Sequence, residues 1–371
     1  MTRRGGRFGA LAALACALLL AGCAGLQLGE PFTGVIHPDI KPSTVEQGIR
    51  MVEHEFAFEG DTVRLSVPVD RAVYAGAVTA DKHATFVGTA QPPDWVGDYY
   101  RAFIDEEHQE PFYASLLEAL HAVRDERDLD AARYVELVAA MAQGLEYRID
   151  PGDLAPKFPI ETFAEGFGDC DDKTLLAAGL LARDGYDVAV LFFETEEHVA
   201  LGVRAPGLDY KDSGYAYVET TEPLLVGLPP EKLTGDVELA SEPAVVRIGN
   251  GAQEYSAAKD IAYIRRRTSE VREAREELDA LIRANNIELE EQRATLSAEK
   301  ERMEDSGAIH SQAEVREYNE RVREYNDLVR TTNETVARYN ELVAAERFVA
   351  ENQTDRPGVR RRLEALGSAT P

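Results

Sequence analysis

The sequence predicts an α+β protein in which a helix packs on an antiparallel sheet, with an antiparallel helical hairpin appended. Three features point there. The apolar run Leu175, Leu176, Ala177, Ala178, Leu180 and Leu181 stops at Asp184-Gly185 and precedes strand-like runs at 186–194, 198–204 and 215–221. One helix leading into consecutive strands is the pattern of a layered α+β fold. Phe56 and Phe58 alternate before Glu59-Gly60-Asp61, and Val63, Leu65, Val67 and Val69 alternate after it. Period-two spacing around a glycine turn signals a β-hairpin. From Ala258 the chain holds no glycine or proline except Gly307 until Pro357, and valine recurs at 315, 322, 329, 336 and 343. Tyr318, Tyr325, Thr332 and Tyr339 follow the first four by three residues, which makes a seven-residue coiled-coil seam.

The N-terminal residues read as an export signal. Arg3, Arg4 and Arg7 precede an apolar stretch over 8–22 that is short for a membrane span and ends in small residues. Leu20-Ala21-Gly22-Cys23 resembles a lipobox, which predicts removal of 1–22 and a lipid on Cys23. An ordinary secretory signal is the alternative. The expectation is an extracytoplasmic lipoprotein of the cell envelope, held to the membrane through Cys23 by a tether over 23–45. Cys16 leaves with the signal and Cys23 is blocked, so Cys170 remains as a lone thiol with no partner for a disulfide. The net charge of −27 argues against nucleic-acid binding, which needs a basic face. It also suits an anionic membrane surface poorly, so the lipid must do the anchoring.

The remaining chain divides by pattern. Residues 46–111 hold the β-hairpin and the start of a helical region. Leu116, Leu117 and Leu120, then Tyr134, Leu137, Val138 and Met141, recur at helical spacing. Pro151, Pro156 and Pro159 predict a loop. The α+β domain spans 112–256, the coiled-coil hairpin 257–354, and a tail 355–371. The first hairpin arm carries Ile264, Val271, Leu278, Ile282, Leu289, Leu296 and Met303, and Asp305-Ser306-Gly307 reverses the chain. An arm of roughly 45 residues is roughly 65 Å long at about 1.5 Å per residue. The competing arrangement is one long helix that pairs only between molecules. The hairpin is expected to be dispensable for chemistry and to offer a surface for an envelope partner or a second copy.

Cys170, His198 and Glu219 form the sharpest constellation. Cys170 follows Gly166-Phe167-Gly168-Asp169 at a predicted helix start, where unpaired N–H groups favour a thiolate and an oxyanion. His198 opens a strand 28 residues later, and Glu219 lies near the end of the next. Nucleophile, base and orienting carboxylate are the parts of a catalytic triad. Asp209 and Asp212 are rivals for the third place. Gln143 or Tyr147, on the helix end before the loop, could complete an oxyanion hole. Asp169, Asp171 and Asp172 crowd the thiol and raise its pKa.

The run from Pro159 through Gly166-Phe167-Gly168-Asp169-Cys170-Asp171-Asp172 resembles the nucleophile motif of transglutaminase-like proteins, and is most similar to bacterial transglutaminase-like cysteine proteinases. His198-Val199-Ala200-Leu201-Gly202-Val203 and Tyr215-Ala216-Tyr217-Val218-Glu219-Thr220-Thr221 continue the likeness, which covers roughly 112–250. The family usually has Asp where this chain has Glu219. The resemblance implies a papain-like core and hydrolysis of an amide or peptide bond in a protein or peptide substrate, with no required cofactor. Some members of that family bind calcium beside the nucleophile, which makes Asp169 and Asp171 candidate ligands. The simpler account is acids favourably placed at a helix N-terminus. The rival function is a catalytically idle envelope scaffold that grips partners through the hairpin, since fold alone does not imply activity.

Overall fold

A computed structural model describes residues 34–87, 94–149, 155–233, 236–305 and 311–367. The signal segment and the lipidation candidate Cys23 lie outside them. The short strand β1 (Gly34–Ile36) pairs with β4 (Thr85–Val87). Between them, β2 (Ile49–Phe58) and β3 (Asp61–Asp70) form the expected hairpin. Its two turn residues, Glu59 and Gly60, both have positive φ, 51° and 78°. That is the geometry matching the twist of paired strands, and glycine adopts it without steric cost. Glu59 adds a hold of its own, accepting from Arg133 Nε at 2.6 Å. Alternation buries Val63, Leu65, Val67 and Val69. Asp70 then caps α1 (Arg71–Thr79), accepting from Ala72 N at 2.8 Å.

Helices α2 (Trp95–Ile104), α3 (Glu110–Glu126) and α4 (Ala131–Gly144) fill the predicted helical region. The predicted proline loop is in part a helix. Residues 159–165 form α5 (Pro159–Glu165), with proline in the first turn, where its missing N–H costs nothing. Glu161 Oε1 takes the Phe158 N–H at 3.0 Å and closes the end. Strands β5 (Glu146–Tyr147) and β6 (Phe167–Gly168) pair in parallel, setting Tyr147 opposite Gly168.

The expected helix is α6 (Cys170–Arg183). Strands β7 (Val188–Phe193), β8 (His198–Arg204), β9 (Tyr215–Val218) and β10 (Ala244–Arg247) form an antiparallel sheet in the order β10-β7-β8-β9. The face carrying Val188, Val190, Val199, Leu201, Val203 and Val218 joins the main core with α6. On the other face, Leu191, Phe193, Ala200, Tyr215 and Tyr217 form a second cluster covered by Tyr210 and Leu239. Burial on both faces explains why these strands read as near-continuous apolar runs.

Helices α7 (Ala258–Asp305) and α8 (Gln312–Glu351) form the predicted hairpin. Arg275 pairs with Glu346 near the base and Arg321 with Glu299 farther out, so the helices run antiparallel. The valine seam is less regular than its spacing. Val343 is exposed, and Leu342, Ala345 and Val349 take the buried line near the base. An α-helix turns every 3.6 residues, so a strict seven-residue stripe drifts around it by about 20° per heptad.

The hairpin is not a separate body. Ile261, Ile264, Val271, Ala274 and Leu278 at its root are buried, all in the same core cluster as α4 and α6. The β2–β3 hairpin belongs to that cluster too, so one core crosses the expected boundaries at 112 and 257. The expected tail also contains a helix, α9 (Arg356–Ala365), which buries Val359 and Leu363. Its signal is weak because four of its ten residues are arginine and only Val359 and Leu363 form its buried apolar stripe. Removing 258–352 would therefore strip the core, contrary to the sequence expectation. Removing only 285–336, with a short glycine bridge, should leave a folded protein whose Tm stays within a few degrees of the full chain. Calorimetry checks this, and a molten product would make the outer arm part of the folding unit. No helix among the described residues is long and apolar enough to cross a membrane.

Candidate functional site

Cys170, His198 and Glu219 meet in one narrow cleft of about 70 Å³, with Tyr147, Glu197 and Glu222 also on its walls. Antiparallel register brings this about. Leu201 lies opposite Val218, so the start of β8, with His198, lies at the same sheet end as Glu219. The rival acids Asp209 and Asp212 lie in the β8–β9 connection at the opposite end and are exposed. Larger hollows exist, of about 400 Å³ beside β2 and about 580 Å³ at the hairpin base, but neither contains the thiol.

Cys170 is the first residue of α6, behind a reciprocal cap in which Asp169 accepts from Asp172 N and Asp172 from Asp169 N. Gly168 is needed for this approach, since a Cβ there would stand 2.6 Å from that of Asp172. The thiol lies well above its ordinary range. Burial is the main cause, followed by Asp171 and Asp169, and the Val199 N–H pulls the other way. The expected preference of a helix start for a thiolate is thus outweighed by the surroundings, and the resting group is a thiol.

His198 and Glu219 are both buried, and the carboxylate is 1% exposed. Nε2 of His198 lies 3.5 Å from Glu219 Oε2, and the Tyr217 hydroxyl sits between them. That hydroxyl is 2.9 Å from Nε2 and 2.6 Å from Oε2. Glu219 Oε1 accepts from Thr220 N at 3.0 Å, Thr221 N at 2.9 Å and Thr221 Oγ1 at 2.6 Å. Burial works against the charge on Glu219, yet the imidazole and the hydroxyls of Thr221 and Tyr217 hold its pKa at about 2.

Gln143 does not fit an oxyanion hole. Its amide donates to the carbonyls of Glu219 and Leu224, each at 2.9 Å, and so fixes the segment that carries the carboxylate. Tyr147 does line the cleft, and its hydroxyl stays protonated, pushed up to about 12 by burial, Cys170 and Asp169.

Three features of the site were missed from sequence. Tyr217 reads as a strand aromatic. Tyr100 on α2 is buried, and its phenol is raised chiefly by burial and then by Asp171 and Cys170. Lys173, one turn beyond Cys170, is fully buried and donates to Leu145 O at 2.9 Å and Thr221 O at 3.2 Å. It ties the end of α4 to the segment after Glu219, and burial brings its pKa down to about 8. A lysine just ahead of the apolar run that begins at Leu175 was the available signal.

Asp169, Asp171 and Asp172 offer carboxylate oxygens within 4.8 Å of one another. Asp171 is raised well above the ordinary value, first by burial and then by a hydrogen bond with Asp169, while Asp172 is raised to about 7 by burial and Asp169. These are hard oxygen donors crowded against one another, a set that fits a calcium-type cation.

Compared with family models, curated proteins and solved structures, the chain finds no match.

Proposed function

We propose that the chain is a lipid-anchored, extracytoplasmic cysteine hydrolase of the transglutaminase-like type that cleaves an amide or peptide bond. The supporting observation is the meeting of Cys170, His198 and Glu219 in one cleft, with the Tyr217 hydroxyl between imidazole and carboxylate and the thiol at a helix start. The thiol gives its proton to His198, the sulfur attacks the carbonyl carbon, and the imidazolium returns the proton to the leaving amine. Water then cleaves the thioester, with His198 again taking a proton. Tyr147 is the side-chain donor nearest in role to an oxyanion partner. Calcium, where bound by Asp169, Asp171 and Asp172, would supply positive charge beside the sulfur. Cys23 anchors the protein, and the outer hairpin, with Leu281, Ile287 and Val315 exposed, offers a surface to a second copy or an envelope protein.

One observation favours a scaffold instead: the resting thiol is held up by burial and its acid neighbours. Alkylation of Cys170 by iodoacetamide across pH, with and without calcium, separates the readings. A hydrolase should react more slowly as His198→Ala. Calcium should move the profile to lower pH, because it neutralises the two acids that raise the thiol. Reactivity unchanged in His198→Ala would favour the scaffold. A profile indifferent to calcium would remove the cation from the account.

A further inference from the structure

The two oxygens of Glu219 have different company. Oε1 faces three donors, from Thr220 N, Thr221 N and Thr221 Oγ1, and Oε2 faces the Tyr217 hydroxyl at 2.6 Å. An ionised carboxylate only accepts hydrogen bonds. The single phenol proton is therefore committed to Oε2. What the phenol oxygen presents to its other neighbour, Nε2 of His198 at 2.9 Å, is a lone pair. Nε2 must carry the proton in that contact. The direct gap from Nε2 to Oε2 is 3.5 Å, outside the usual range for an efficient hydrogen bond.

We propose that Tyr217 is a positioning residue that sets the tautomer of His198: it passes the polarity of Glu219 to the imidazole, keeps the proton on Nε2 and leaves Nδ1 to receive the proton of Cys170. The catalytic consequence rests on the hydrolase reading above, whereas the tautomer follows from the hydrogen-bond directions alone. Tyr217 and Glu219 stand two residues apart at the end of β9, so their side chains share a face of the sheet. The rings of Phe193 and Tyr210 flank the Tyr217 ring, at 6.2 Å and 5.6 Å between centroids, and hold the hydroxyl in place. When the S–H bond breaks and Nδ1–H forms, the new imidazolium already donates from Nε2 into a polarised phenol. Neither Tyr217 nor Glu219 has to change protonation.

The test is nitrogen-15 NMR of histidine-labelled protein at alkaline pH, with His198 assigned by its loss in His198→Ala. In the wild-type protein the Nε2–H tautomer should dominate. In Tyr217→Phe the preference should collapse to a mixture, and iodoacetamide alkylation at fixed pH should slow roughly 10- to 100-fold, the loss of one hydrogen bond to a charged group. Glu219→Gln is a second variant with the opposite signature, an inverted tautomer. A merely structural tyrosine would shift Tm and leave the tautomer alone. A dominant Nδ1–H form in the wild type overturns the proposal. So does a Tyr217→Phe protein that keeps both Nε2–H dominance and the wild-type alkylation rate. An Nε2–H imidazole in a protein that cleaves no amide supports the assignment and counts against the hydrolase reading alone.

Discussion

On the hydrolase proposal, a Glu219→Gln protein should remain folded and turn over an amide substrate about 10⁴-fold more slowly, the scale of loss when an imidazole is held in the wrong tautomer. The three donors around Oε1 accept no substitute for an oxygen, so the glutamine carbonyl must take that place. Its NH2 group is then left against Tyr217. It donates to the phenol oxygen, the phenol proton turns toward Nε2 of His198, and the imidazole must carry its own proton on Nδ1. The Cys170 proton then has no acceptor. Asp209→Asn and Asp212→Asn should leave the rate unchanged, because both lie at the far end of the sheet. If either of those abolishes turnover while Glu219→Gln does not, the orienting carboxylate is in that loop. Stability has its own sign. Glu219 is held at about 2, below its ordinary value, so its ionised form stabilises the fold above the usual carboxylate range. That contribution disappears as pH falls through about 2, so the wild type should lose more stability to acid than Glu219→Gln. Turnover at neutral pH and Tm across the acid range check both parts.

Arg356→Met should cost about 3–5 kcal/mol, enough to unfold a marginal domain, because it leaves a buried carboxylate unpaired. Arg356 reaches Glu136 inside the core and Asp260 at the start of α7, and Tyr255 donates to Glu136 at 2.6 Å. Burial already raises Glu136 to about 7, and Arg356 is the main opposing influence. Without the arginine, the carboxyl should bind a proton even more readily. A group whose folded pKa is raised stabilises the fold as pH drops toward its unfolded value. The variant should therefore recover part of its stability between mildly alkaline and mildly acidic pH. Glu136→Gln in the same chain should restore much of the Tm, since no charge is then left buried. Chemical denaturation at two pH values measures each effect. A loss under about 1 kcal/mol would place the pair among ordinary surface ion pairs.

Several parts of the fold were legible because their signals are local. The β2–β3 hairpin follows from alternation around Glu59-Gly60, and the long hairpin from its seven-residue repeat. Cys170, His198 and Glu219 lie at element ends, where glycines and a change of period mark boundaries, so their placement in one cleft could be anticipated. What escaped depends on partners distant in sequence. Helix α9 buries only a narrow stripe, and its arginine is paid back by Glu136, 220 residues away. Gln143 stands near the site as expected, but its amide is taken by two carbonyls whose positions no spacing rule supplies. The acids that raise the thiol are visible in sequence beside the helix start, whereas its burial, the larger cause, is not. The role of Tyr217 depends on the direction of one hydrogen atom, which register and a fixed ring impose.

The pairing of Glu136 with Arg356 also orders events in time. A chain emerging from the ribosome carries α4 long before α9. Local structure such as β2–β3 and the α7–α8 hairpin can form early, because closing short loops is fast. The core around α4 lacks the guanidinium that pairs with Glu136 until Arg356 arrives, 220 residues later. Until then Glu136 has to stay hydrated or protonated, and the helix whose far end carries Gln143, the residue that holds the Glu219 segment, lacks that one tie. A chain cut short anywhere before α9 would carry the thiol but lack the guanidinium that pairs with Glu136 in the core behind it.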